Sequence, residues 1–241
     1  MDRRSFFGLA IGALASQGAR VGACEERSLP IQALCVSPDG TSVVAATQAG
    51  MHILAYPNLH EERCLEAPFD QVTRLRFLDA RRLLVAGGVP AESGAVWIGV
   101  WPKLDKWQRW EHHQDVVWDA DVRGGWLAAA SLDRRVTLQR VGSKERVQLV
   151  GHARGVTGAV WIDPGRECVT CGLDGSLRLW RHQQGEWKTV MVLNQHRGPV
   201  WRLETRLGRS AQGLPQVMTI SGDQTVRLWQ PTIGRMVRFV R

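Results

Sequence analysis

Tyrosine is almost missing from this sequence: one residue in 241, beside five Phe and eleven Trp. A Trp surplus of that kind means one residue type placed repeatedly at equivalent positions, as a repeat would place it. No run approaches the roughly 18 apolar residues that a membrane-spanning helix needs. No Gly-rich phosphate loop, Ser-centred nucleophile elbow or zinc-ligand spacing occurs, so no cofactor or metal is expected. There is no Cys-x-x-Cys-His, which excludes that form of haem attachment. Lys and Arg number 31 against 23 Asp and Glu, a net charge of +8. Those charges are scattered rather than clustered. That favours a soluble basic protein over one drawn to an anionic polymer or surface, and nucleic acid is not an expected partner.

The first 24 residues differ from the rest. "MDRRSFFGLAIGALASQGARVGAC" runs from Arg3-Arg4 through an apolar stretch, Phe6 to Ala15, into small residues. Basic, apolar, small is the order of a secretory signal. Arg3 and Arg4 followed by Ser5-Phe6-Phe7 resemble the twin-arginine export signal. The competing reading is an amphipathic or unstructured N-terminus of a cytoplasmic protein. With export, the mature chain is expected in the periplasm or at the cell surface. Val21-Gly22-Ala23-Cys24 resembles a loose lipobox, which would make Cys24 a lipidation site. Arg20 argues against it, and ordinary cleavage after Ala15, Ala19 or Ala23 competes. Cys168-Val-Thr-Cys171 has redox spacing, but it lies in a strand-like run with no helix starting there. Two packed thiols are the expectation.

Beyond residue 30 the chain reads as short alternating runs broken by Gly, Pro, Asp and Asn. "IQALCVSPDGTSVVAAT", "VTRLRFLDARRLLVAGG", "VVWDADVRGGWLAAAS", "VTGAVWIDPGRECVTCG" and "VWRLETRLGRSAQGLPQVMTISG" each give strand, turn, strand. A third run follows each: "MHILAY", "AVWIGVW", "RVTLQRV", "SLRLW", "TVRLW". Such a pattern, without a convincing amphipathic helix, predicts an all-β protein. Register comes from His113, His152 and His196, each followed four residues on by Val. They lie 39 (113 to 152) and 44 (152 to 196) residues apart. That is close to the roughly 40–45 residues of a four-stranded propeller blade.

"GLDGSLRLWRH" (172–182) and "SGDQTVRLWQP" (221–231) write the same sentence twice. At this point the residues resemble the WD-repeat (Trp-Asp repeat) β-propeller family. There, a His before the first strand, a Ser/Thr in the second, an Asp in the next turn and a Trp ending the third form a hydrogen-bonded tetrad. The resemblance assigns one tetrad to His152, Thr170, Asp174 and Trp180, and a second to His196, Thr219, Asp223 and Trp229. It leaves a partial one at His113 and Asp133, where Ala129 and Gln139 replace Thr and Trp. The first repeat has Ala45 and Ala55 at those places. The second has Trp101 and an insertion, "GGVPAESGAV". The likeness covers residues 29–241, strong in the last third and degenerate before it.

Five blades are expected, at about 29–64, 65–110, 111–150, 151–194 and 195–241. Family members usually have seven, often closed by an N-terminal strand completing the last blade. Here "RMVRFVR" supplies the last repeat with its own fourth strand. The ring is therefore an unusual five-blade one, or two blades are undetected or missing, or self-association or a partner completes it. The tetrads are expected to be structural. "EHHQDVVWDAD" could suggest a metal, but His113 belongs to the repeat register. Trp118 and Trp201 lie five residues after a repeat His, and Thr157 holds that place between them. With Arg154 and Arg197 they form a candidate partner-binding rim, against the alternative that they pack between blades. The resemblance implies a protein-interaction scaffold without catalysis, and the signal-like N-terminus adds export to the bacterial cell envelope. The alternatives are a propeller enzyme (hydrolase, lyase or quinoprotein-like oxidoreductase) with a central-channel site, and a truncated or decaying repeat protein.

Overall fold

A computed structural model describes residues 29–205 and 213–241. The expected export signal, with Arg3, Arg4 and Cys24, lies outside the described residues, as does most of "LGRSAQGLPQ" in the last repeat. The described chain is all-β and forms five four-stranded antiparallel sheets, each built from consecutive strands. The first holds β1 (Ala33–Val36), β2 (Ser42–Ala46), β3 (Met51–Ala55) and β4 (Glu61–Leu65). The second holds β5 (Gln71–Asp79), β6 (Arg82–Val89), β7 (Ser93–Val100) and β8 (Trp107–His113). The third holds β9 (Val117–Arg123), β10 (Trp126–Ser131), β11 (Arg135–Arg140) and β12 (Arg146–Val150). The fourth holds β13 (Val156–Asp163), β14 (Glu167–Gly172), β15 (Leu177–Gln183) and β16 (Glu186–Leu193). The fifth holds β17 (Val200–Thr205), β18 (Val217–Ser221), β19 (Val226–Gln230) and β20 (Arg235–Val240).

These sheets are the blades of a β-propeller. Their first strands pack in series, β1 on β5, β5 on β9, β9 on β13 and β13 on β17, and so line the inside. Alternation along each strand sends one set of side chains to each neighbouring blade. The core is therefore four apolar layers between blades. One joins Val44, Met51 and Ile53 to Val72, Leu83 and Val85. The next joins Leu84, Val96 and Ile98 to Ala120 and Leu127. A third sets Trp161 and Trp180 against Ala128 and Leu138. The last sets Val160, Val169 and Leu179 against Leu203, Val217 and Trp229.

The turn between the second and third strands repeats in blades three, four and five. Asp133, Asp174 and Asp223 each accept, through Oδ1, the backbone N–H two residues on (Arg135, Ser176, Thr225; 2.9, 3.0 and 3.0 Å). This Asx turn is why Asp holds the place. The residue after each Asp has a left-handed backbone: Arg134 at φ 72°, Gly175 at 78°, Gln224 at 65°. Only blade four uses the residue that adopts it without cost.

Register corrects two sequence assignments. In blade four, Cys168 pairs with Trp180, and His182 N–H bonds Arg166 two positions further out. The matching bond in blade two is Trp101 N–H to Arg81. The tetrad-Trp place there is therefore Gly99, paired with Leu83, and not Trp101. A Cβ on Gly99 would meet Trp107 at 2.7 Å. The outermost strand thus supplies an indole where the third strand has none. In blade one the matching bond is Tyr56 N–H to Thr41, which puts Leu54 rather than Ala55 at the place. The β2–β3 turn is one residue shorter there, so counting from the expected Asp position overshoots.

Candidate functional site

Three groups of residues carry chemistry here: the tetrads, the rim and the inner strands. In blade four, Trp180 Nε1–H donates to Thr170 Oγ1 (2.9 Å), which lies 2.8 Å from His152 Nε2. His152 Nδ1 lies 3.0 Å from Asp174 Oδ2. An indole can only donate and a carboxylate only accept. The hydroxyl must therefore donate to Nε2, and the neutral imidazole carries its proton on Nδ1. Blade five repeats the relay, Trp229 to Thr219, Thr219 to His196 and His196 to Asp223, at 2.8 Å in each step. Burial works to raise the Asp174 carboxyl, but hydrogen bonds from His152 and Ser176 outweigh it and hold it far below the usual range. Asp223 is held low in the same way, by Thr225, His196 and the Arg197 N–H. Burial and the neighbouring Arg227 lower the imidazole of His196, against the pull of Asp223.

Hydroxyl, imidazole and carboxylate in line reproduce the hydrogen-bond order of a hydrolytic triad. Two facts remove that chemistry. Thr170 has no exposed surface and Thr219 almost none. Each hydroxyl also accepts an indole N–H, so no electrophile can approach its oxygen. The relay ties loop, second strand, turn and third strand of one blade together. In blade three the partial set forms its first half only: His113 Nδ1 lies 2.8 Å from Asp133 Oδ2. His113 Nε2 is buried without a partner, because Ala129 stands where the hydroxyl would be.

The rim candidates divide. Trp201 is 45% exposed, Trp118 half-buried, and Arg154 and Arg197 lie exposed in the loops after their His. All four sit where the chain enters an inner strand, and hence on one rim. Thr157 does not belong with them. It is fully buried, and its Oγ1 donates to the Val200 carbonyl of the next blade at 2.5 Å. Thr73 makes the same tie to Val117, also at 2.5 Å. Thr at this place joins blades, and Trp at this place reaches the surface.

The inner strands hold a network that sequence reasoning missed. Arg74 and Arg76 of β5, Asp119, Asp121 and Arg123 of β9, and Glu204 of β17 meet inside the propeller. Arg74 Nε lies 3.2 Å from Asp119 Oδ1, and its Nη2 bonds Glu204. Arg76 reaches Asp121 at 2.9 Å and Glu204 at 3.3 Å, and Arg123 reaches Asp121 at 3.2 Å. Asp121 also accepts the backbone N–H of Trp161 at 3.0 Å. With Arg202 of β17, whose Nε lies 3.9 Å from Glu204, four guanidiniums face three carboxylates. Burial pushes Asp119 up to about 7, against the pull of Arg74. The available signal was charge at every second position, "RLR", "DADVR" and "RLE" (74–76, 119–123, 202–204), on otherwise apolar first strands. Cys35, Cys168 and Cys171 are free thiols, the last two fully buried, and burial raises all three above the usual range. Among the described residues no group of His, Cys, Asp and Glu is placed to hold a metal ion. Among them, too, no helix is long and apolar enough to cross a membrane.

Residues 143–181 match the family model described as WD domain, G-beta repeat. That segment runs from the last turn of blade three through the Trp180 place of blade four, and so holds one full relay. Curated relatives point the same way. A stretch of 114 residues is 31% identical to apoptotic protease-activating factor 1 of Danio rerio, over 47% of this chain and 9% of the relative. Another of 84 residues is 36% identical to the ribosome biogenesis protein WDR12 homolog of Ixodes scapularis (34% and 17%). A third of 67 residues is 36% identical to the human peroxisomal targeting signal 2 receptor (28% and 20%). The matched stretches span a fifth or less of each of these relatives. The WD-repeat likeness is thus shared by sequence, blade topology and relay geometry.

Proposed function

We propose that this chain is a non-catalytic protein-interaction module built on WD-type repeats and exported to the bacterial cell envelope. The observation that carries the reading is the contrast between sealed and open groups. The hydroxyls that resemble a nucleophile are buried and doubly occupied, whereas Trp201, Trp118, Arg154 and Arg197 stand on one rim. Partly exposed Trp flanked by Arg is the composition of contact hot spots. Relatives named as a receptor and as a ribosome biogenesis protein support the same class.

The test is affinity capture from envelope extract with the wild type and with Trp201→Ala/Arg197→Ala. A partner held by the wild type and lost with the variant, at unchanged melting temperature, is the expected result. Equal capture by both removes the rim from the reading. Export has its own test. Replacing Arg3 and Arg4 by Lys should keep the chain in the cytoplasm, and unchanged fractionation would refute a twin-arginine route.

A further inference from the structure

The five blades form an arc with two free ends. Four apolar layers join five sheets, and among the described residues no such layer joins β17 to β1. Each end sheet turns an apolar face outward. On the first, Leu34 and Val36 are 61% and 51% exposed and share a face with Val43 and Leu54, their neighbours across the sheet. On the last, Met218 and Ile220 are 43% and 46% exposed and share a face with Leu228 and Val226, and at its inner border with Arg202 and Glu204. Both faces belong to ordered strands. They are the two faces that a further blade would cover.

Charge distinguishes the ends. The outermost strand of the first sheet carries exposed Glu61 and Glu62, with Glu66 just beyond. Glu61 lies on the free face, opposite Leu54, with His52 Nδ1 2.6 Å from its carboxylate. The outermost strand of the last sheet carries exposed Arg235 and Arg238, with Arg241 just beyond. Arg238 lies on the free face, opposite Leu228. Stacked as the other blades stack, β17 would meet β1 and β20 would meet β4. The apolar side chains of β18 and β19 would then face those of β1 and β2, with Arg202 and Glu204 of β17 held in the inner charge network, and an arginine edge would face a glutamate edge outside. A like pairing, first sheet on first or last on last, would set like charges edge to edge.

We propose that the free face of the last blade and the free face of the first are two halves of one interface, occupied head to tail by a second copy of this chain. Such a contact is heterologous: each copy keeps one unused half, so pairs close into a ring or grow by further copies.

The experiment is light scattering coupled to size exclusion on the full chain, from low to high micromolar concentration. The wild type should shift from 26.9 kDa to a multiple of that mass. Leu34→Glu spoils only the first-blade half, and Ile220→Lys only the last-blade half. Each alone should stay at monomer mass. Mixed, they still offer one intact half apiece and should give a dimer that grows no further. A wild type that stays monomeric at every concentration overturns the proposal. So does a mixture that stays monomeric, since one intact half of each kind is then present and unused, and so does either variant dimerising alone, which is the pattern of a like pairing. Both positions lie outside the core layers. Should either variant melt early, hydrogen exchange on the wild type decides instead: 33–36 and 217–221 must gain protection together as concentration rises, and independence of concentration refutes the interface. None of these results depends on the rim, so this proposal and the proposed function fail separately.

Discussion

Blades four and five are pinned by a complete four-residue relay; blades one to three reach the same four-stranded form without it. Blade three keeps half a relay, with His113 satisfied at one nitrogen only. Blade two fills the vacant indole place with Trp107 from its outer strand, packed 5.7 Å from Trp97, with Arg109 4.2 Å above the Trp97 ring. Blade one fills it with Leu54. The relay is thus one of several solutions to a single packing problem, which is to fix the turn and fill the space above the second strand. Polar relays specify geometry, and apolar filling is tolerant of sequence. That difference explains how the first three repeats depart from the tetrad pattern and still form the same blade.

The sharpest way to break the comparison is Asp174→Ala. It removes the acceptor of His152 Nδ1–H and of the Ala153 and Ser176 N–H groups. Urea and thermal unfolding should show a loss of about 2–4 kcal/mol. An unchanged midpoint would mean that the relay holds nothing. Asp133→Ala is the counterpart in blade three, where only half a relay depends on the carboxylate. A loss of about 1–2 kcal/mol is expected. If it equals that of Asp174→Ala, the Thr and Trp add nothing to the set.

The contrast can also be run in reverse. Ala129→Thr with Gln139→Trp writes the missing half into blade three and gives His113 Nε2 a donor. A double-mutant cycle should show favourable coupling of about 0.5–1.5 kcal/mol between the two substitutions. Additive effects would show that the relay needs more of its blade than four side chains.

The smallest expected effect is one of acidity, and it separates the relay from the inner strands. The His196 imidazole is lowered in the fold. Its contribution is therefore present above the unfolded value of about 6.5 and fades as pH falls below it. Asp174 and Asp223 are also lowered, so theirs is lost further down, below about pH 4. Asp119 is raised to about 7. Its contribution is full below about pH 4 and disappears as pH rises through 7. Between pH 7 and 5 the two terms oppose. Asp119→Asn should therefore make the wild-type stability curve fall more steeply with acid over that window. Parallel curves for variant and wild type would assign the channel no titration.

Much of this was legible in the sequence, and for local reasons. Thr, Asp and Trp recur at spacings of four and six because one hairpin and its turn set them. What escaped depends on distance. Arg74 and Glu204 are 130 residues apart, and no local pattern names one as the other's partner. The Gly99 and Leu54 places escaped because a hairpin longer or shorter than its relatives shifts every count made from the turn. Thr157 shared its position with two surface Trp, and only the approach of the next blade showed that its hydroxyl is spent on the Val200 carbonyl.

The guanidinium pair of Arg74 and Arg76 has a consequence for the order of folding. Every hairpin here is local, so each blade can form soon after its own residues are made. The carboxylate that bridges both guanidiniums belongs to Glu204, on the first strand of the last blade. Until β17 docks, blade two carries two inner cations with only Asp119 and Asp121 to face them. The final blade therefore closes an electrostatic account opened by the second, and a nascent chain halted before residue 204 would hold its arc without that chord.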